Sequence, residues 1–194
     1  MVLENLKDYR VILASNSPRR QELMQGLGLN FEVKTLSDID ESYPADLAAA
    51  KVAGFIAQRK ADAYASIVQE KELIITADTV VVLGKRVLGK PQDRGEAIAM
   101  LRALSGQVHQ VVTGVCLLTQ AGRKVFDALT QVRFAPLSEE EISYYVDNFQ
   151  PYDKAGAYGV QEWIGYIGVE EIQGSYYNVM GLPIQKLYRE LQKI

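Results

Sequence analysis

Val11-Ile12-Leu13-Ala14-Ser15-Asn16-Ser17-Pro18-Arg19-Arg20 reads as a buried strand, a tight polar turn and the opening of a helix. The apolar run Val11 to Leu13 suits a strand inside a sheet. Ser17 is a good N-cap, and Pro18 falls at the first helical position, where its missing N–H costs nothing. Leu23, Met24 and Leu27 give that helix one apolar face, and Gly28 is its expected terminator. A helix leaving a strand in this way aims unpaired N–H groups and the positive end of its dipole at one point. Ser15, Ser17, Arg19 and Arg20 gather at the same point, which is how a phosphate seat is built. The same stretch also reads as an ordinary strand-to-helix turn with two solvated arginines.

Outward from this junction, 194 residues with 48% hydrophobic content are enough for one generous domain, or for two lobes around a cleft. A net charge of -3 argues against a long polyanion such as DNA or RNA as a general partner. A small anion held by a local basic cluster stays compatible with it. The single cysteine, Cys116, cannot form an intrachain disulfide and fits a reducing, cytoplasmic compartment. Met1 to Arg10 is polar and reads as no signal peptide, and no apolar run reaches the length of a membrane span, so no membrane partner is expected. One histidine, His109, excludes a zinc site built from several histidines. The alternation around it places it at a strand edge with a structural role. The chemistry is therefore expected to run on carboxylates, amines and guanidinium groups, with or without a hard metal ion.

Along the chain, Phe31 to Val33 suggests a second short strand. The acidic stretch Ser37-Asp38-Ile39-Asp40-Glu41-Ser42-Tyr43-Pro44 reads as loop, either solvated or a source of cation ligands. Asp46 is expected to cap a long alanine-rich helix with Val52, Phe55 and Ile56 inward and Lys60 near its middle, by itself an ordinary surface lysine. Leu73 to Thr76 is a buried strand, followed directly by Ala77-Asp78-Thr79 and a second apolar run, Val80 to Leu83. An aspartate set among apolar and β-branched residues costs several kcal/mol to bury, roughly, unless it meets a cation, a metal or N–H donors. Asp78 is therefore the residue whose surroundings most demand a site.

Gly84-Lys85 marks a hairpin turn. Lys90 lies between Gly89 and Pro91 on a short rigid loop. Asp93 with Glu96 begins another helix, with Ala97, Met100, Leu101 and Leu104 inward and Gly106 ending it. Val108 to Thr119 and Lys124 to Phe134 form two long strands joined at Ala121-Gly122. Ser138 with Glu141 caps a helix bearing Ile142, Tyr145 and Val146. Ile164 to Ile172 suggests a last strand, and Leu182-Pro183 starts a terminal helix carrying Ile184, Leu187 and Leu191. The pattern is mixed α/β, with parallel and antiparallel pairing in one extended sheet flanked by helices.

An ordered set of motifs then carries a resemblance. Leu13 to Arg20, Ile56-Ala57-Gln58-Arg59-Lys60-Ala61, Ala77-Asp78-Thr79 and Gly89-Lys90-Pro91 are followed by Leu104-Ser105-Gly106 with His109, and by Thr113-Gly114-Val115. Asp153 to Gln161 and Gly174-Ser175-Tyr176-Tyr177-Asn178-Val179-Met180-Gly181-Leu182-Pro183 complete it. The chain resembles the Maf family of nucleoside triphosphate pyrophosphatases over nearly its whole length. The resemblance implies a single two-lobed α/β domain over residues 1–194, related to the inosine-triphosphate pyrophosphatases, with a central cleft and a homodimer as its common assembly. It implies hydrolysis of a nucleoside triphosphate to monophosphate and pyrophosphate with a divalent cation, Mg²⁺ or Mn²⁺. Arg19, Thr79 and Gln161 match the branch acting on dTTP and UTP. Glu162-Trp163 depart from it, since many relatives carry glycine after the glutamine.

The residues fit this reading. A nucleoside triphosphate brings roughly four negative charges. Arg19, Arg20, Lys60 and Lys90 would balance them, each charge-assisted hydrogen bond contributing roughly 1.5–3 kcal/mol. Ser15, Ser17 and the N–H groups after them are expected to seat the phosphates, with both arginines clamping. Lys60 and Lys90 are expected to stabilise developing charge, and Asp78 to orient water as general base or through the metal. Glu41 is the candidate second carboxylate, with a neighbour such as Asp40 the alternative in a loop without periodicity. Gln161 and Thr79 are expected to read the pyrimidine edge, because a glutamine offers both donor and acceptor. The alternatives are a pyrophosphatase for other or modified nucleotides, and a nucleotide-sensing regulator of cell division.

Overall fold

The structure is a computed structural model, described here over residues 3–194. Seven strands form one sheet in the order β2-β1-β3-β5-β6-β7, with β4 paired to β3. They are β1 (Arg10–Leu13), β2 (Glu32–Val33), β3 (Glu72–Leu83), β4 (Arg86–Leu88), β5 (Val108–Thr119), β6 (Gly122–Phe134) and β7 (Val169–Gln173). The helices are α1 (Pro18–Gln25), α2 (Ala49–Asp62), α3 (Arg94–Leu104), α4 (Glu139–Phe149), α5 (Trp163–Gly168), α6 (Tyr176–Met180) and α7 (Ile184–Leu191). Mixed pairing is borne out: β1 runs parallel to β2 and β3, while β3–β4 and β6–β7 are antiparallel.

The chain divides into two compact units, and β3, β5 and β6 contribute to both. The first unit takes the chain up to Asp78, then Thr113–Ala128 and Gly181–Ile194. Its strands lie in the order β2-β1-β3-β5-β6, and Ile12, Ala57, Ala61, Tyr64, Ile74, Cys116 and Leu118 form a buried cluster in it. Burial pushes the Cys116 thiol up to about 12, so it is an inert apolar side chain. In this unit β1 sits between β2 and β3: the chain leaves β1 through α1 to β2 on one side, then returns through α2 past β1 to β3 on the other, so the direction of the connections reverses beside β1. Ligands in open α/β sheets bind beyond the carboxyl ends of the strands at such a switch point.

The second unit comprises Thr79–Val112 and Leu129–Met180. Val81, Leu101, Leu104, Phe134, Ile142, Tyr145 and Ile164 lie in its core. Capping is as expected at α4, where Ser138 and Glu141 form a reciprocal box. At α3 Asp93 caps Glu96 N, while the Glu96 carboxylate reaches one residue further back, to Gln92 N.

Several expectations are corrected. Asp46 does not cap α2; the N-cap is Ala48, with no side-chain hydrogen bond, and Lys60 stands in the last turn rather than the middle. The helix α1 closes at Gly26, two residues before Gly28. Val80 to Leu83 is not a separate run, since β3 passes through Asp78 without a break. Ile164 to Ile172 is not one strand: α5 occupies its first half and β7 begins at Val169. Ile164 and Gly168 are the two buried residues of α5, a four-residue spacing that a short apolar run cannot advertise. His109 is not at an exposed edge. It is 1% exposed, packs edge-on against Phe134 and Tyr158, and shares a 2.7 Å hydrogen bond with the Tyr158 hydroxyl. Burial lowers its pKa to about 4, so it is neutral and structural. Among the described residues no helix is long and apolar enough to cross a membrane.

Candidate active site

The register of β1 and β3 sets the geometry. Leu13 pairs with Ile75, and Ala14 N donates to Ile75 O at 2.9 Å. The turn Ala14–Ser17 therefore lies beside Thr76–Asp78. Ser17 caps α1 through its hydroxyl, as expected, and Ser15, 7% exposed, accepts weak hydrogen bonds from Ser17 N and Arg20. Arg20 does more than the sequence suggested: Nε donates to Gly181 O and an Nη to Ala77 O, both at 2.8 Å. It braces the start of α1 against β3 and against the segment leading into α7. Burial lowers its pKa; Asp78 and Glu41 oppose that shift, and the neighbouring Arg19 adds to it. Arg19, Arg20, Asp78 and Glu41 thus share one local field.

Helix α2 delivers Lys60 to this field because it packs unusually close to the sheet. A Cβ on Gly114 of β5 would come 2.3 Å from Gly54 N, so only glycine lets the two backbones approach this closely. The buried Thr76 hydroxyl donates to Ala57 O at 2.6 Å and anchors the same helix to β3. One turn further along, Lys60 Nζ donates to Asp78 Oδ1 at 2.8 Å. The lysine and aspartate side chains are 15% and 14% exposed, so each lends the other the partner its burial requires.

The acidic loop and the segment leading into it are held by two residues that sequence reasoning did not single out, Arg59 in α2 and Tyr64 just past its end. The Tyr64 hydroxyl accepts from Leu36 N and donates to Lys34 O. Arg59 donates to Asp40 and to Ser42 O, both at 2.7 Å. Asp40 is thereby spoken for, and Glu41 is the loop carboxylate that reaches Lys60, at 3.1 Å. The signal available was the Arg59-Lys60 pair ending an apolar-faced helix just downstream of an acidic loop.

Lys60 therefore stands between two carboxylates, at the carboxyl end of paired parallel strands. Two oxygen donors converging on one cationic centre suit a hard divalent ion, which takes one or two carboxylates from protein and the remainder from water and phosphate. Asp78 and Glu41 are oxygen donors of the type such an ion takes, and among the described residues no group of three or more candidate ligands stands together. Arg19, Arg20 and Lys60 supply positive charge around it.

The remaining predicted residues belong to the second unit. Thr79 follows Asp78 in β3 and is half-buried. Lys90 is exposed, between Gly89, whose carbonyl accepts from Gly156 N at 2.9 Å, and the buried Pro91; its loop is tethered as expected. Gln161 is half-buried, and its Oε1 is buried with no hydrogen-bond partner among the described residues. Unpaired buried acceptors are rare and costly, which makes this amide a candidate for a ligand contact.

A family model described as Maf-like protein matches residues 10–194. A dTTP/UTP pyrophosphatase of Bacteroides thetaiotaomicron is 64% identical over 193 residues, covering 100% of both chains. Another of that name from Bacteroides fragilis is 61% identical, again over the full length of both. Among solved structures, the Staphylococcus aureus Ham1 protein superposes with a TM-score of 0.53 at 18% identity, covering 93% of this chain and 99% of that one. That likeness concerns the fold alone.

Proposed function

This chain belongs to the Maf-like protein family, and from that premise we propose that it hydrolyses dTTP and UTP to the nucleoside monophosphate and pyrophosphate. The observation that carries the reading is the Lys60 bridge between Asp78 and Glu41 beside the Ser15–Arg20 turn. The 64% identity to a dTTP/UTP pyrophosphatase supports the choice of substrate.

In this proposal Asp78 accepts a proton from the water that attacks the α-phosphorus, and the bond from that phosphorus to the bridging oxygen breaks. Lys60 orients the Asp78 carboxylate through Oδ1. Arg19 and the Ser15–Ser17 turn bind phosphate oxygens, with Arg20 fixing the turn in place while adding its own charge. Lys90 stabilises charge on the leaving pyrophosphate. Gln161 and Thr79 select the base. Asp78 and Glu41 would hold a divalent cation, which when bound supplies Lewis-acid charge neutralisation at the phosphates. The homodimer belongs to the same proposal and is read by sedimentation.

The test is a nucleotide panel incubated with the purified protein and Mg²⁺ or Mn²⁺, with monophosphate and pyrophosphate quantified. Pyrophosphate released fastest from dTTP and UTP is the expected result. Release of orthophosphate instead, or binding without turnover, overturns the reading. Faster turnover of a modified nucleotide reassigns the base while keeping the chemistry.

A further inference from the structure

Next to Gln161 the second unit contains a buried polar network that the proposed chemistry leaves unused. Glu162, 21% exposed at its side chain, lies 3.0 Å from Lys154 Nζ, itself only 9% exposed. The fully buried Tyr145 donates its hydroxyl hydrogen to the other Glu162 oxygen, and its oxygen accepts from Gly159 N at 3.0 Å. Glu162 N donates to Gly159 O at 3.0 Å, closing a turn with Val160 and Gln161 at its centre. The far side is secured as well: Gly165 N donates to Glu162 O at 2.9 Å, and the Tyr166 hydroxyl donates to Gln161 O at 3.2 Å.

We propose that Lys154, Glu162 and Tyr145 are positioning residues that fix the turn carrying Gln161, and so aim its amide at the base of the nucleotide. The inference rests on the reading of Gln161 as the base-selecting residue and adds the machinery that gives it direction. Glu162 is the N-cap residue of α5, yet its side chain caps nothing; it turns back to Lys154 and Tyr145. A Cβ on Gly159 would fall 2.9 Å from Glu162 Cδ and 3.1 Å from Lys154 Cε, so the ion pair is pressed against the turn itself. Burying an ion pair contributes little net stability compared with apolar side chains of the same volume, and its attested benefit is conformational uniqueness. Burial and then the Glu162 carboxylate push the Tyr145 hydroxyl far above its ordinary range, keeping it a donor. A glutamine distinguishes uracil from cytosine only if its oxygen and nitrogen ends are held in fixed places, since the two bases exchange donor and acceptor along that edge.

The test compares wild-type protein with Glu162→Gln and Tyr145→Phe, which preserve shape while weakening the pair or removing the hydroxyl. KM and kcat are measured separately for UTP and CTP, and melting temperature confirms folding. The expected result is a KM for UTP raised about tenfold with kcat within about twofold, and a UTP-over-CTP preference lowered about tenfold, the scale of a small misplacement of a contact group. Folded variants with unchanged preference overturn the positioning role. Absence of UTP turnover by the wild type overturns the functional reading and this inference with it, whereas turnover with unaltered variant preference overturns this inference alone.

Discussion

Two lysines of this chain each stand between a pair of carboxylates, one in each unit. Lys60 lies 2.8 Å from Asp78 and 3.1 Å from Glu41; Lys154 lies 2.7 Å from Asp153 and 3.0 Å from Glu162. In both, one carboxylate is mostly buried and the other more than half exposed. The surroundings separate them. Lys60 gathers its partners from a strand and a loop distant in sequence, at the carboxyl ends of parallel strands, with Arg19 and Arg20 in the same field. Lys154 takes its partners from positions one and eight residues away, and a tyrosine hydroxyl closes the second oxygen of Glu162. An enclosed lysine–carboxylate pair is therefore no signature of catalysis by itself. The proposed chemical role of the first rests on the convergence of additional cations, and the proposed bracing role of the second on local closure.

The comparison breaks most sharply at the carboxylates. Asp78→Asn is expected to lower kcat by roughly a thousandfold, the scale of a lost general base, while circular dichroism stays native. Asp153→Asn should leave turnover within about threefold, because its contact to Lys154 is an exposed one. Equal losses in the two variants would erase the distinction between the two lysine clusters.

At the lysines the expected effects change kind. Lys154→Met strands the Glu162 carboxylate in a largely buried place and should cost about 3 kcal/mol of unfolding free energy, seen as a shifted denaturant midpoint. Lys60→Met should instead be read chiefly in kcat/KM. A Lys154→Met chain as stable as wild type would show that the brace carries no strain when opened.

The second unit offers a pH test. His109 has a folded pKa near 4 against about 6.5 unfolded. Below the unfolded value the unfolded chain binds the extra proton, so stability falls as pH drops and is regained as pH rises. From about pH 7.5 to about pH 5 this group alone should remove about 2 kcal/mol. His109→Gln should show a shallower acid loss than wild type by that amount in parallel denaturant titrations. Identical slopes would place the buried imidazole in contact with solvent.

The smallest effect sharpens the first cluster. Glu41→Gln should raise the Mg²⁺ concentration for half-maximal turnover about tenfold, the lower end expected for losing a supporting ligand group. Asp40→Asn, which loosens the Arg59 strap and the Asp40–Ser42 turn, should move it less. The reverse order would transfer the ligand role to Asp40.

Much of the frame was legible because it is local. Ser17 and Pro18 declare the start of α1, and Ser138 with Glu141 that of α4; Gly84-Lys85 declares a hairpin. Each depends on contacts within four residues, which sequence displays directly. Asp78 was legible for a different reason: a charge among apolar neighbours must have a partner, whichever it is. Less was readable where position depends on distant chain. Helix α5 is six residues long and buries only two of them, too few to show a period. Asp46 has the chemistry of a cap but α2 starts after Ala48, where the strapped acidic loop delivers the chain.

From the sequence alone follow the identity of the charged residues, the alternation of strands and helices, and a carboxylate that needs a cation, since these depend on residue type and short-range spacing. Only the tertiary structure decided which cation that is, that Glu41 rather than Asp40 joins it, and that Glu162 turns inward to Lys154 and Tyr145. Those choices come from the close approach of α2 to β5 and from a turn folded onto its own ion pair. Neither leaves a period in the chain.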